Sequence, residues 1–365
     1  MAVGEDDEVM TSQVVLAVDR SRLKALLAIT AAPRVSVVMP VDHLEPQQDA
    51  IRARGLGARL RMILDAHAVS AEVSDRLVAA VEVRFGHLHP IAHATTAVAL
   101  YATPAGVEWL PLPVRVGETV TVAEEFHLLP LLDALDPAHC FVLTLARGGN
   151  ALWRADRWSV APLPLPGAPG ALTEITRFRV LEKQLQFHQT ARGGAAVFHG
   201  HALGENREME PVRTYLRRVD QAVATALAGD PAPVVLVGPG NLPSMFREIS
   251  AHDQFATHSI ESHPDGIDAT RLHEAARPIV EALVVERTLR HLDRVGTLRE
   301  SRRSSTLAAE IVVAAAMGRV DTMLFDPATD NCGVVNRAAV AALRHAATVL
   351  PAPGLATGAA ATYRW

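Results

Sequence analysis

The chain has 365 residues, of which 49% are hydrophobic and 21% are charged, and this composition is typical of a globular protein. Its length exceeds what one hydrophobic core usually serves, so we expect two or three domains. The formal net charge of -5 excludes a positive field over the whole molecule. Any contact with RNA must therefore be local, and we expect no DNA partner.

The two cysteines and the N-terminal residues bear on cofactors and location. Cys140 and Cys332 lie far apart and lack the spacing of metal ligands, so we predict neither a disulfide nor a metal, and no cofactor. The start, MAVGEDDEVMTSQ, is acidic where a signal peptide is basic. No apolar run reaches the ~18 residues that a membrane span needs. These features predict a cytoplasmic protein with no membrane partner.

Taken in chain order, the predicted elements form three α/β segments. A disordered acidic tail at 1–12 precedes an N-terminal domain at 13–132. In it, helical periods cover Ser21–Ile29 and Gln47–His67, and strands cover Arg34–Val41, Thr96–Tyr101 and Val107–Val116.

A second α/β domain is predicted over 137–262. It opens with a hairpin of Cys140–Leu145 and Ala151–Arg154, and the prolines and glycines of 161–206 predict a long Gly-rich loop. Helix 208–228, strand 233–237 and helix 242–250 follow. A third domain over 268–365 has a long helix from Asp268 to Arg294 interrupted near Pro278, a helix over 306–317, a strand over 320–325, a helix over 337–347 and one or two final strands.

Common enzyme motifs are missing from the sequence. It contains no GxxxxGK[ST], no GxSxG and no HExxH. His188, His199 and His201 cluster near the glycines, but no carboxylate accompanies them at ligand spacing. We interpret these histidines as solvated or structural.

Arginines are concentrated in residues 287–303. Arg287, Arg290 and Arg294 share one predicted helical face, and Arg299, Arg302 and Arg303 extend it, which leaves a net charge of +4 over this stretch. Guanidinium groups bind phosphate well, so these six arginines are candidate RNA-binding residues. The alternative is a solvated face with internal ion pairs.

Several segments in a fixed order resemble a known family. They are Phe126–Leu132 (FHLLPLL), the hairpin CFVLTLARGGNALWRA, Phe198–His201 (FHGH), PVVLVGPG and Ala315–Thr322 (AAMGRVDT). Together they resemble the bacterial branch of the archaeal and eukaryotic peptide-chain release factor superfamily, family three. The resemblance implies a ribonuclease-H-like middle domain and a C-terminal domain similar to the kink-turn-binding ribosomal protein fold. It also implies a ribosome, rRNA or tRNA partner.

The resemblance also identifies a candidate catalytic loop and one departure within it. Relatives carry Gly-Gly-Gln, whose Gln positions water for ester hydrolysis, whereas this chain has Gly193, Gly194 and Ala195. The candidate loop residues are Gln189, Gly193, Gly194 and His199. We therefore expect a ribosome-associated or ribosome-rescue factor with doubtful peptidyl-tRNA hydrolysis. The alternative is a soluble enzyme or small-ligand-binding protein that kept the fold without the RNA role.

Overall fold

The computed structural model describes residues 19–41, 46–86, 95–174, 202–256, 260–261 and 268–365. The described residues form a mixed α/β protein with three β-sheets. Two compact units are present: one combines the chain up to Asp136 with Glu286–Trp365, and the other covers Pro137–Val285. The division into three domains at 13–132, 137–262 and 268–365 stays a prediction. The acidic tail at 1–12 lies outside the described residues.

The N-terminal part of the first unit is an antiparallel sheet packed against two helices. Its elements are α1 (Arg20–Ala28), β1 (Arg34–Pro40), α2 (Pro46–Ala66), α3 (Ala71–Gly86), β2 (Ala97–Thr103), β3 (Gly106–Leu112), β4 (Thr119–Ala123) and α4 (Leu129–Ala134). The strand order is β3-β2-β1-β4. Val35, Val37 and Met39 alternate along β1 and pack with Leu60 and Leu64 of α2, while Ser36 and Val38 on the opposite face are buried as well.

Three elements of this part of the unit were not predicted, namely α3, β4 and α4. α3 carries Leu77, Val78, Val81 and Phe85 on one buried face, a helical period that could have been found in the sequence. β4 is short and half-buried, and its Val120 and Val122 gain their partners only when β4 pairs with β1.

The second unit has a sheet with helices on both faces. Its elements are β5 (His139–Ala146), β6 (Gly149–Asp156), β7 (Val160–Leu163), α5 (Ala202–Leu227), β8 (Val234–Gly238), α6 (Leu242–Ile249), β9 (Ile260–Glu261) and the first part of α7 (Ala269–Leu298). The strand order is β7-β6-β5-β8-β9, with β5 parallel to β8. Phe141, Leu143 and Leu145 pack with α5 and α6, whereas Cys140 and Val142 pack with α7.

Several predicted boundaries in this unit and at its end need correction. α5 begins at Ala202, so Gly204 lies inside a helix, and β7 overlaps the start of the stretch predicted to be irregular. α7 runs without interruption through Pro278. Pro278 is exposed, and the buried residues Leu272, Ala276 and Val280 hold the helix on both sides of it.

The C-terminal part of the first unit contains the third sheet. It combines the end of α7 from Glu286 with β10 (Ser304–Ser305), α8 (Ala308–Ala316), β11 (Val320–Phe325), α9 (Cys332–Arg344), β12 (Thr348–Pro351) and β13 (Ala359–Tyr363). The strand order is β10-β13-β11-β12. Val295 at the end of α7 shares a core with Leu324, Leu350 and Ala360, and this contact positions the arginines of α7. α9 begins at Cys332, earlier than the predicted 337.

Candidate nucleic-acid interface

The end of α7 and the turn after it carry the predicted RNA-binding arginines. The buried side of this helical end is anchored by Val295. The six arginines differ in what their guanidinium groups contact.

Arg287 points into the protein. Its Nη1 and Nη2 atoms donate to the two carboxylate oxygens of Asp136 at 2.5 and 3.2 Å, and Nη2 also donates to the carbonyl of Pro351 at 3.0 Å. The side chains are 13% and 0% exposed. Arg287 is therefore engaged inside the unit, and the structure separates it from the other arginines of the predicted face.

Arg290 and Arg294 are exposed. Arg290 is 70% exposed and lies 3.8 Å from Glu286, and Arg294 lies 3.3 Å from Asp321. Such exposed pairs contribute only about 0–1 kcal/mol, so a phosphate can compete with them. The pKa of His291, between them, is lowered by burial and then by Arg287, Arg290 and Arg294. Three guanidinium groups therefore act on His291 in the same direction, and the carboxylate of Asp321 acts in the opposite one.

Arg299, Arg302 and Arg303 lie in the turn that follows α7, and all three are exposed. Arg302 has φ +56°, in the left-handed region. Nη2 of Arg303 donates to the main-chain oxygen of Arg364 at 2.6 Å, so this guanidinium is partly used in holding the last strand. Arg299 and Arg302 have no side-chain ion pair with any residue in the described ranges.

A cavity of about 970 Å³ opens beside this turn. Its polar lining includes Arg299, Arg302, Arg319, Ser305 and Glu310. The guanidinium of Arg319 donates to the main-chain oxygen of Trp365 and stacks 5.3 Å from the centre of the Tyr363 ring. Arg319 was not among the predicted site residues, because it is distant from 287–303 in sequence and joins them only through the sheet.

The candidate catalytic residues Gln189, Gly193, Gly194 and His199 lie outside the described residues. The strands next to that part of the sequence are held by a buried network in the second unit. Tyr215 Oη donates to the carbonyl of Ala146 at 2.9 Å, and Asn150 Nδ2 lies 2.9 Å from both Tyr215 Oη and the carbonyl of Pro169. This network holds the segment after β7 against the β5–β6 hairpin.

Neither a metal site nor a membrane-spanning helix is found among the described residues. In the described ranges, no three His, Cys, Asp or Glu side chains come together as a metal site would require. None of the helices in that part of the chain combines the length and apolar character needed to cross a bilayer.

Residues 139–319 match the family described as Bacterial archaeo-eukaryotic release factor family 3. The match covers just under half of the chain. The match includes the β5–β6 hairpin, the Gly193–Gly194 stretch and the arginines of α7 and its turn. It confirms the family expected from the order of the sequence segments. No curated protein matches the chain.

Several solved structures are similar to the chain at low identity. An archaeal translation termination factor, aRF1, is 14% identical, with coverage of 95% of this chain and 97% of that chain and a TM-score of 0.27. Archaeal Pelota, in a structure titled as ribosome-bound Pelota and ABCE1, is 12% identical over 74% of this chain and 77% of that chain, with a TM-score of 0.43. Dom34 of S. cerevisiae is 12% identical over 73% of this chain and 80% of that chain, with a TM-score of 0.36. TM-scores below 0.5 do not establish a shared architecture, so the family assignment rests on the sequence match.

Proposed function

We propose that this protein is a ribosome-associated translation factor that binds RNA phosphates through Arg290, Arg294, Arg299 and Arg302. The observation that carries the proposal is the exposed arginine surface at the end of α7, within a segment that matches a release factor family. The ribonuclease-H-like and kink-turn-binding folds of the middle and C-terminal segments are part of the same proposal.

The four arginines suit phosphate for three physical reasons. Guanidinium groups bind phosphate at two points and are weakly hydrated. Their acidic neighbours Glu286 and Asp321 are themselves exposed or half-exposed, so solvent screens the existing pairs. The net charge of -5 repels RNA elsewhere, which restricts binding to this face.

Peptidyl-tRNA hydrolysis is not part of the proposal. Release in relatives implies a Gln that positions water, and Ala195 offers no hydrogen-bonding side chain at the matching place. The role proposed is therefore binding to the ribosome, in translation or ribosome rescue, without ester cleavage by Gly193-Gly194-Ala195.

Co-sedimentation with purified ribosomes tests the role. The wild-type chain is expected to pellet with ribosomes at about 50 mM salt and to dissociate as salt rises toward about 300 mM, because phosphate contacts release counterions. Changing Arg290, Arg294, Arg299 and Arg302 to Gln should abolish pelleting at about 150 mM salt and flatten the salt dependence.

A matched control keeps the test specific. Arg54 and Arg59 are exposed on α2, so R54Q/R59Q removes the same charge as R299Q/R302Q from a different surface. R54Q/R59Q should pellet as the wild type does, whereas R299Q/R302Q should not. If both doubles behave like the wild type, the arginine surface is not the ribosome contact. If the wild-type chain never pellets, the small-ligand alternative gains weight, with the 970 Å³ cavity as its first place to test.

A further inference from the structure

An exposed apolar patch adjoins the arginines around the cavity. Leu307, Val313, Met317 and Trp365 are each more than half exposed. Leu307 and Val313 line the cavity together with Arg299, Arg302 and Arg319. We define these seven residues as the mixed patch. Large apolar side chains grouped on a surface usually mark a place where something docks.

The composition of the mixed patch fits a polypeptide better than a nucleic acid. Trp, Met and Arg are the residues enriched at protein interfaces, and aliphatic Leu and Val offer nothing to a phosphate. Three guanidinium groups beside apolar side chains fit a segment that carries carboxylates next to apolar residues.

The N-terminal segment of this chain has that character. Residues 1–18 lie outside the described residues and contain no Lys, Arg or His, while Glu5, Asp6, Asp7 and Glu8 are consecutive. Val9 and Met10 follow directly, and the run VVLAV occupies 14–18. The segment thus pairs four negative charges with adjacent apolar side chains.

The length of chain between the acids and α1 sets how far the acids can reach. The four acids precede Asp19, the N-cap of α1, by 11 to 14 positions, which corresponds to an extended reach of ~35–45 Å. α1 and the mixed patch belong to the same compact unit. Tethering also raises the effective concentration of the segment to about the millimolar range, so weak intrinsic affinity is enough for docking.

We propose that residues 1–18 dock on the mixed patch, with Glu5–Glu8 against Arg299, Arg302 and Arg319 and the following apolar residues against Leu307, Val313, Met317 and Trp365. Arg299 and Arg302 are shared with the proposed RNA surface, so the docked segment competes with RNA phosphate. This regulatory consequence rests on the proposed function, whereas the docking itself does not. The many phosphates of a ribosome would displace the segment. A short isolated RNA would bind less tightly, because the segment occupies Arg299 and Arg302.

A photo-cross-link in the full chain tests docking without RNA. With p-benzoylphenylalanine in place of Met10, irradiation should join the segment to peptides containing Leu307, Val313, Met317 or Trp365. The yield should fall at least about five-fold in E5Q/D6N/D7N/E8Q and in R299Q/R302Q, since each removes charged partners. It should not change in R54Q/R59Q. Three results would overturn the docking. They are cross-links to other peptides, cross-links between two chains, and yields that stay the same in both charge variants.

Binding of a labelled 20-nucleotide single-stranded RNA tests the competition. The full chain with E5Q/D6N/D7N/E8Q should bind about five-fold more tightly than the wild type at about 50 mM salt, and the difference should vanish near 500 mM. Equal affinities at low salt would show that the segment does not compete. If neither chain binds RNA or ribosomes while the cross-link forms, the proposed function fails and the docking stands.

Discussion

Arg287 and Asp136 form a two-point ion pair inside the first unit, although 151 positions separate them in the sequence. The carboxylate of Asp136 is fully buried, and the third contact of Arg287 is the carbonyl of Pro351 in β12. Arg287 thereby joins the segment after α4, the end of α7 and the C-terminal sheet. Its role follows from this position: it stabilises the fold, while Arg290 and Arg294 of the same helix are exposed.

Arg287→Ala should lower the free energy of unfolding by about 3 kcal/mol, because it leaves the buried Asp136 carboxylate without its cation. Urea denaturation of the purified chain measures this. Arg290→Ala is the matched control on the same helix and should change stability by less than about 0.5 kcal/mol. Equal, small effects of the two changes would contradict the structural role of Arg287.

Asn336 should be equally intolerant of change. Its Oδ1 accepts from the Leu128 amide at 2.7 Å, and its Nδ2 donates to the Phe126 carbonyl at 2.8 Å. Asn336→Ala leaves two buried main-chain groups unpaired and should cost about 2–3 kcal/mol in urea denaturation. Asn331→Ala, at the exposed start of α9, should have little effect. A stable Asn336→Ala protein would show that water replaces both contacts.

The left-handed backbone of Arg302 predicts that glycine is better tolerated at this position than alanine. At φ +56° a residue with a Cβ is strained by about 1 kcal/mol, and glycine is not. Arg302→Gly should therefore be more stable than Arg302→Ala by about 1 kcal/mol, although both lose the same guanidinium. Thermal unfolding of the two variants compares them directly, and a more stable alanine variant would rule out the strain.

The buried side chain of His127 should lower the free energy of unfolding in mild acid. Burial lowers the pKa of His127 from 6.5 to about 4. The unfolded chain therefore binds a proton at His127 below about pH 6.5, whereas the folded chain binds it only below about pH 4. The free energy of unfolding falls as pH drops through this window. The cost at pH 5 is about 2 kcal/mol relative to pH 7. Unfolding of His127→Gln at the two pH values should show a drop smaller by about that amount, and an identical drop would contradict the assignment.

Peptide release should be absent. Purified protein added to ribosomes that carry peptidyl-tRNA should leave the ester intact, because Ala195 cannot position water. Release of labelled peptide over minutes measures this, with an active release factor as the positive control. Robust release that disappears in Gln189→Ala would show instead that an upstream Gln performs the hydrolysis.

Hydrophobic periodicity was sufficient to predict most of the strands and helices. β11 was predicted at its exact bounds, and α1, β1, α2 and α6 to within one or two residues. These segments carry strong local patterns, since their apolar residues alternate or recur every three to four positions. The order of short segments also indicated the family that residues 139–319 match.

The roles of individual arginines depended on the tertiary structure. Spacing on α7 made Arg287, Arg290 and Arg294 equivalent, because periodicity reports which residues share a face and not what lies opposite. Only the folded chain brings Asp136 to Arg287 and Arg319 to the turn of Arg299 and Arg302. The sequence by itself determined most of the α/β elements, the family resemblance and the local excess of positive charge. The tertiary structure decided which guanidinium is buried in an ion pair and which are exposed, since long-range partners meet only when the sheets and helices pack.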